Sequence, residues 1–319
     1  MEKQVKMAVI GCGFWGMKML SEYNKLYDKG EITELVACDS NEEVLKQIRK
    51  TYNRIKVVSD YKEVLKYGIN CAHILAPNDL HYQITAELLE NGVNCLTEKP
   101  LTQHYSESFS LVKLAKKKKL VFKTGYVWRF TNVLNELKKI LNAGYFDKVQ
   151  FIRFSWHSYT DHMVGTSIVW DQFPHLLNIY SYLFDEVEHK PKVEVFSTAK
   201  YRQKHSEIMY VVLKYVNRDI KLIFDAAWLF PIKERNFQIY GIKDGKTKLL
   251  LVDMLKQSIQ HNEGEKLVLD FEKPNNTLYE EASDFVRTVK EDVVNTKNDA
   301  KSALPQLKLI EKLSDYDNK

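Results

Sequence analysis

Short apolar strands alternate with amphipathic helices through residues 1–125, which predicts an α/β fold with a parallel, doubly wound sheet. A glycine-rich turn between the first strand and the first helix points the same way. Beyond residue 190 the pattern changes to apolar runs that follow one another without helices between them. That predicts an α+β domain built on a large, mostly antiparallel open sheet. The expected domains are 1–125 and 126–319, in keeping with 319 residues and roughly 100–200 residues per domain.

Val5–Ile10 reads as a strand, and Gly11-Cys12-Gly13-Phe14-Trp15-Gly16 leads from it into a helix ending near Tyr27. This is the G-x-G-x-x-G pattern in the context it requires, strand before and helix after. The first glycine makes the tight turn, the second lets a pyrophosphate reach the backbone, and the third lets helix and strand pack closely. Phe14 and Trp15 belong to the same turn and are assigned with it to the cofactor site. A second strand, Glu34–Cys38, ends on Asp39, about 20 residues past the last glycine, where an acid binds the ribose 2′-hydroxyl. These features describe an N-terminal Rossmann dinucleotide-binding domain. A carboxylate at Asp39 repels a 2′-phosphate, so NAD is the expected cofactor, and Ser40 beside it leaves NADP open.

The alternation continues with a helix at Glu42–Thr51, a strand at Lys56–Val58 and a short helix at Tyr61–Tyr67. Cys71–Ala76 is an apolar strand, broken by Pro77-Asn78 before a helix at Leu80–Glu90. Val93–Thr97 is the next strand, and Glu98-Lys99-Pro100 ends it. A helix at Ser106–Lys118 and a strand at Leu120–Thr124 complete the domain. Doubly wound sheets hold ligands at the carboxyl ends of their strands, so Lys99 is a chemical candidate. Position alone describes equally well a surface lysine among 47 Lys+Arg.

In the second domain a helix at Asn132–Asn142 and a strand at Lys148–Trp156 precede a polar-aromatic stretch, His157–Val169. Trp156, His157, Tyr159, His162 and Trp170 crowd this region, a density that suits stacking on a ligand ring and equally packing in a core. Trp170-Asp171-Gln172-Phe173-Pro174-His175 then opens a helix, with Pro174 expected in its first turn. Asp171 and His175 are four apart, on one helix face. A histidine held by a carboxylate serves as general acid or base near neutral pH. The same spacing also describes a capping Asp and a packed His. Runs near Val193–Thr198, Ile208–Val216, Lys221–Trp228, Asn236–Tyr240, Lys248–Val252 and Lys266–Phe271 read as strands, and Leu278–Val294 and Asp299–Ser314 as helices.

With 45% hydrophobic and 28% charged residues the composition is that of a globular protein. The net charge of +5 permits an anionic small molecule and does not argue for nucleic acid, so no nucleic-acid partner is expected. Lys116–Lys119 reads as a solvated helix end, where cations suit the macrodipole. No stretch approaches the ~20 apolar residues of a membrane span, and the chain enters a strand without a basic-then-apolar leader, so a cytoplasmic location is expected. Cys12, Cys38, Cys71 and Cys95 show no CxxC spacing and no His neighbours, which predicts reduced core thiols and no metal site.

VIGCGFWG, ILAPNDLH, LTEKPL, GYVWRF at Gly125–Phe130, WDQFPHLLNIYSYLF at Trp170–Phe184 and AWLFPIKER at Ala227–Arg235 together resemble the glucose–fructose oxidoreductase/inositol dehydrogenase family. The resemblance implies that Lys99, Asp171 and His175 work at the reacting carbon. Oxidising a hydroxyl needs a base for its proton, which gives His175 that role with Asp171 orienting its ring, and has Lys99 hydrogen-bond the developing alkoxide or share the proton. The resemblance places Ala76, Pro77, Asn78 and His81 along the nicotinamide and Glu98 near its ribose, and implies a cis bond before Pro100. It assigns Tyr126, Arg129, His157, Lys233 and Arg235 to the substrate. The basic residues pair with phosphates of a nucleotide-linked sugar, or form structural ion pairs. Asn178 stands where the family often has an Asp. The resemblance also implies a homodimer or homotetramer through the second domain's sheet. The expected activity is therefore an NAD(P)-dependent sugar dehydrogenase or ketoreductase interconverting hydroxyl and keto groups on a ring carbon, favoured for nucleotide-linked sugars. A free sugar or inositol is the alternative substrate. A non-catalytic NAD-binding sensor is the rival class, disfavoured because it needs no proton acceptor.

Overall fold

A computed structural model describes residues 3–159, 167–185, 190–202, 204–291 and 297–317; His162, one of the expected substrate-stacking residues, lies outside them. The chain forms two compact units, Met1–Val127 with Asn276–Leu304, and Trp128–Asn275 with Pro305–Lys319.

In the first unit six strands, β1 (Lys6–Ile10), β2 (Glu34–Cys38), β3 (Lys56–Val58), β4 (Cys71–Ile74), β5 (Asn94–Glu98) and β6 (Phe122–Gly125), form one sheet in the order β3-β2-β1-β4-β5-β6. Every pairing is parallel. The helices α1 (Phe14–Asp28), α2 (Glu42–Thr51), α3 (His81–Glu90) and α4 (Tyr105–Lys118) connect them. The strands are apolar on both faces, as a sheet covered by helices requires; all of β4 is buried. The winding reverses between β1 and β4, and such a switch point opens a crevice at the strands' carboxyl ends. Exposed Lys116–Lys118 end α4, and Lys119 closes it in the left-handed region at φ 57°, the solvated helix end expected.

The second unit carries α5 (Asn132–Asn142), α6 (Ile168–Phe184) and eight strands: β7 (Lys148–Tyr159), β8 (Lys192–Ala199), β9 (Ile208–Tyr215), β10 (Ile220–Ala227), β11 (Leu229–Lys243), β12 (Lys246–Asp253), β13 (Ser258–Glu263) and β14 (Lys266–Glu272). Their order is β14-β13-β12-β11-β7-β10-β9-β8, antiparallel except for β7 beside β10. Period-two alternation fixes which face is buried. Ile152, Phe154 and Trp156 of β7, with Met209, Val211 and Leu213 of β9, join Leu137, Phe173 and Ile310 in one core. The opposite face shows Phe196 and Tyr210 to solvent and stacks Phe151 on Tyr240 at 4.2 Å.

Three expectations are corrected. The chain returns to the first unit as α7 (Thr277–Glu291) before α8 (Leu304–Asp317), so one boundary near residue 125 is too simple. The apolar stripe of α7, Ala282, Phe285, Val286 and Val289, completes the core formed by β1, β2 and α1, which explains the return. Strand β13 was not expected, because its Gln260, His261 and Asn262 mask the alternation. Helix α6 begins at Ile168, so Pro174 lies inside it instead of in the first turn. No helix among the described residues is long and apolar enough to cross a membrane.

Candidate cofactor and proton-transfer site

The three fingerprint glycines have separate physical reasons. Gly11 sits at φ +89°, and a Cβ there would lie 2.6 Å from the backbone of Leu75 and Ala76. A Cβ on Gly16 would lie 1.8 Å from the Gly11 carbonyl oxygen, so the helix packs on its own turn. At Gly13 a Cβ would meet nothing within 4 Å. Gly13 is the N-cap of α1, gives it no side-chain cap, and precedes a first turn without acids. Open space at a helix N-terminus is what a pyrophosphate needs. Asp39, following β2, accepts Cys12 N–H at 2.7 Å and Asn41 N–H at 2.8 Å, which fixes its carboxylate beside the turn. These residues fit a dinucleotide: Gly13 and α1 for its phosphates, Asp39 for its ribose. Ser40 is exposed next to Asp39. The four cysteines are free and buried; burial, then Asp39, pushes Cys12 and Cys38 up to about 12, so neither is a thiolate nucleophile at neutral pH.

Beside this turn lies the end of β5. Trp15 Nε1–H donates to Glu98 Oε1 at 3.0 Å, tying the first turn of α1 to the Glu98-Lys99-Pro100 segment, and the Lys99–Pro100 bond is cis as expected. Because all six strands run parallel, the glycine turn, Asp39, Ala76-Pro77-Asn78 and Lys99 lie on one edge of the sheet. His81 belongs to the scaffold of that edge. It is fully buried, with Nδ1 3.0 Å from the Pro100 carbonyl and Nε2 2.9 Å from that of Ala76. Burial lowers its pKa, which these carbonyls oppose, so it braces two strand-end loops from within. Tyr126 is buried in the same unit, and its carbonyl accepts from Asn298.

In the second unit Asp171 stands in the first turn of α6, where an acid complements the helix dipole, and accepts a short bond from Gln172. His175 follows one turn later, its ring edge-on to Trp128 at 6.3 Å. Arg235 spreads over Trp156 at 5.1 Å and donates to the carbonyls of His157 and Glu234. Burial lowers Arg235 to about 10, against the charge of Asp171. Arg129 is likewise buried and donates from Nε to Asn178 Oδ1 at 2.7 Å. Lys233 is exposed on β11. The structure thus commits two of the three basic residues expected at the substrate to partners inside the unit.

His157 has the same fate. Its Nε2 lies 2.7 Å from Asp225 and its Nδ1 2.9 Å from Glu234. Burial would lower its pKa, but Asp225 and Glu234 outweigh that and raise it. The folded protein therefore holds this proton more tightly than the unfolded chain, whose histidine titrates at the ordinary 6.5. The resulting stability is complete below that value and disappears as the pH climbs through the raised folded value. Thermal unfolding should show the second unit losing stability as the pH rises above 6.5 in wild type but not in His157→Gln. Parallel profiles for the two proteins would refute the assignment.

Residues 5–126 match the model of the oxidoreductase family with an NAD-binding Rossmann fold. That segment is an NAD-binding Rossmann domain. The scyllo-inositol 2-dehydrogenase (NADP(+)) of Bacillus subtilis is 19% identical over 247 residues, 74% of this chain and 66% of that protein. The dTDP-3,4-didehydro-2,6-dideoxy-α-D-glucose 3-reductase of Saccharopolyspora spinosa is 26% identical over 145 residues, 45% of this chain and 43% of its own length. The curated relatives are thus matched over about two thirds of their length or less. Among solved structures, UDP-N-acetylglucosamine 3-dehydrogenase from Acidithiobacillus ferrooxidans superposes with a TM-score of 0.85 at 16% identity, covering 99% of this chain and 98% of that one, a likeness of fold.

Proposed function

We propose that the protein transfers a hydride between nicotinamide and a ring carbon of a sugar, interconverting hydroxyl and keto groups. The observation that carries this reading is Lys99, which follows β5 at the same end of the parallel sheet as the cofactor turn, with the Trp15–Glu98 bond joining the two. Bound NAD supplies the hydride acceptor; the chain's own residues handle the proton. His175 takes it from the substrate hydroxyl, Asp171 orients His175, and Lys99 hydrogen-bonds the developing alkoxide. Asp39 makes NAD the preferred cofactor.

A nucleotide-linked sugar is the first substrate class, supported by the motif resemblance and by the nucleotide-sugar reductase among the relatives. A free sugar or inositol is the second reading, and a specific observation favours it: Arg129 and Arg235 are buried and bonded within the protein instead of offered to phosphates. The apolar residues on the second unit's uncovered sheet face support assembly as a homodimer or homotetramer. NADH formation, followed with NAD and parallel panels of nucleotide-sugars, free sugars and inositols, tests the reading. Signal from nucleotide-sugars alone supports the first class, and signal from free sugars or inositols the second. Silence there, and with keto-sugars offered NADH in the reverse direction, while NAD binding is intact, leaves the sensor.

A further inference from the structure

The first unit holds a buried polar chain that cofactor binding does not explain. Tyr23 on α1 and His73 on β4 are both fully buried. A histidine inside a parallel strand is costly unless its nitrogens are satisfied. Tyr23 Oη lies 3.1 Å from His73 Nδ1, and His73 Nε2 lies 3.4 Å from Glu98 Oε1, an ion-pair distance longer than a good hydrogen bond. Burial, then the Glu281 carboxyl, holds the Tyr23 phenol well above its ordinary value, so Tyr23 keeps its proton and donates it to Nδ1. The imidazole proton is thereby assigned to Nε2, facing Glu98.

Glu98 is gripped from its other sides. Trp15 donates at 3.0 Å and Lys99 N–H at 3.3 Å, while a Cβ on Gly125 of β6 would stand 2.7 Å from the Glu98 carboxyl carbon. Burial would raise the Glu98 carboxyl, but His73, Trp15 and the charge of Lys99 bring it below the usual range. Its neighbour Glu281 goes the other way. Burial, Glu98 and Asp284 raise it well above that range against Lys123, so Glu98 is the anion of the pair. Cys71, the remaining titratable neighbour, is pushed up by burial and stays a thiol.

We propose that Tyr23 and His73 are positioning residues that hold Glu98 as an oriented carboxylate against the Lys99 backbone, and so set how Lys99 is presented. The proposal rests on the reading that Lys99 takes part in the chemistry. Its first readout needs no turnover: imidazole nitrogen NMR should show His73 as the Nε2–H tautomer, and Tyr23→Phe should mix the tautomers. An Nδ1–H form in the wild type overturns it.

The second readout is kinetic. His73→Leu should lower kcat on the order of 10-fold, the size typical of losing a group that orients another, with the KM for NAD changed less than about threefold. Without His73, Glu98 takes up a proton more readily, so the acid limb of kcat/KM should move to higher pH. His73→Gln, which keeps a donor, should restore most of both. If His73→Leu folds poorly, Gly125→Ala crowds the same carboxylate from the opposite side and should reproduce the loss. A lower melting temperature with an unmoved acid limb would make the histidine merely structural and end the proposal. Full turnover in Lys99→Met would instead end the parent reading, with the tautomer result untouched.

Discussion

Lys99→Met should lower kcat on the order of 10³-fold, within the range spanned by lost proton-transfer groups, while NAD affinity stays nearly constant. Methionine keeps the unbranched stem and loses every donor. The groups assigned to the cofactor's phosphates and ribose, Gly13 and Asp39, lie after other strands and are untouched. His175→Asn should cost about as much, and the double variant should lose far less than the product of the two, because groups acting on one proton are not additive. NAD titration with single-turnover measurements separates the two effects. Most of the turnover surviving in Lys99→Met, with NAD binding unchanged, would remove Lys99 from the mechanism.

The parallel sheet and the cofactor turn were legible because each rests on signals within short stretches of the chain. Gly11 and Gly16 are demanded by contacts a few residues or one strand away, and the parallel strands announce themselves by continuous apolar runs. The second unit was legible in type but not in every strand, since β13 is polar and lies toward the sheet's end. Side-chain commitments were harder to foresee. Arg129, His157 and Arg235 look like ligand contacts in sequence, yet Asn178 is brought to Arg129, Asp225 and Glu234 to His157, and the His157 carbonyl to Arg235, only by folding. His81 seemed to face the cofactor, but it bonds backbone carbonyls, which no side-chain motif encodes. His73 and Lys123 gave no signal, because each is a polar residue in an apolar strand whose partners are distant in the chain.

Lys123 should prove the costliest of these to remove. It lies in β6, 2% exposed, with Nζ 2.6 Å from Asp284 Oδ2 and 2.9 Å from Thr288 Oγ1 on α7. Burial lowers its pKa and Asp284 opposes that. Lys123→Met leaves the Asp284 carboxylate buried, with Arg287 at 3.0 Å holding its other oxygen. Breaking a buried pair in this way costs about 3 kcal/mol or more, a fall in melting temperature of roughly 6–12 °C for a unit of this size. Replacing both partners by apolar residues of similar volume is often neutral. Lys123→Met with Asp284→Leu should therefore be more stable than Lys123→Met alone, which thermal unfolding of the single and double variants decides. Additive losses would mean that the pair gives more stability than it costs to bury. The double variant should also retain turnover, because this pair anchors α7 to β6, whereas the proton chemistry is proposed for Lys99, Asp171 and His175.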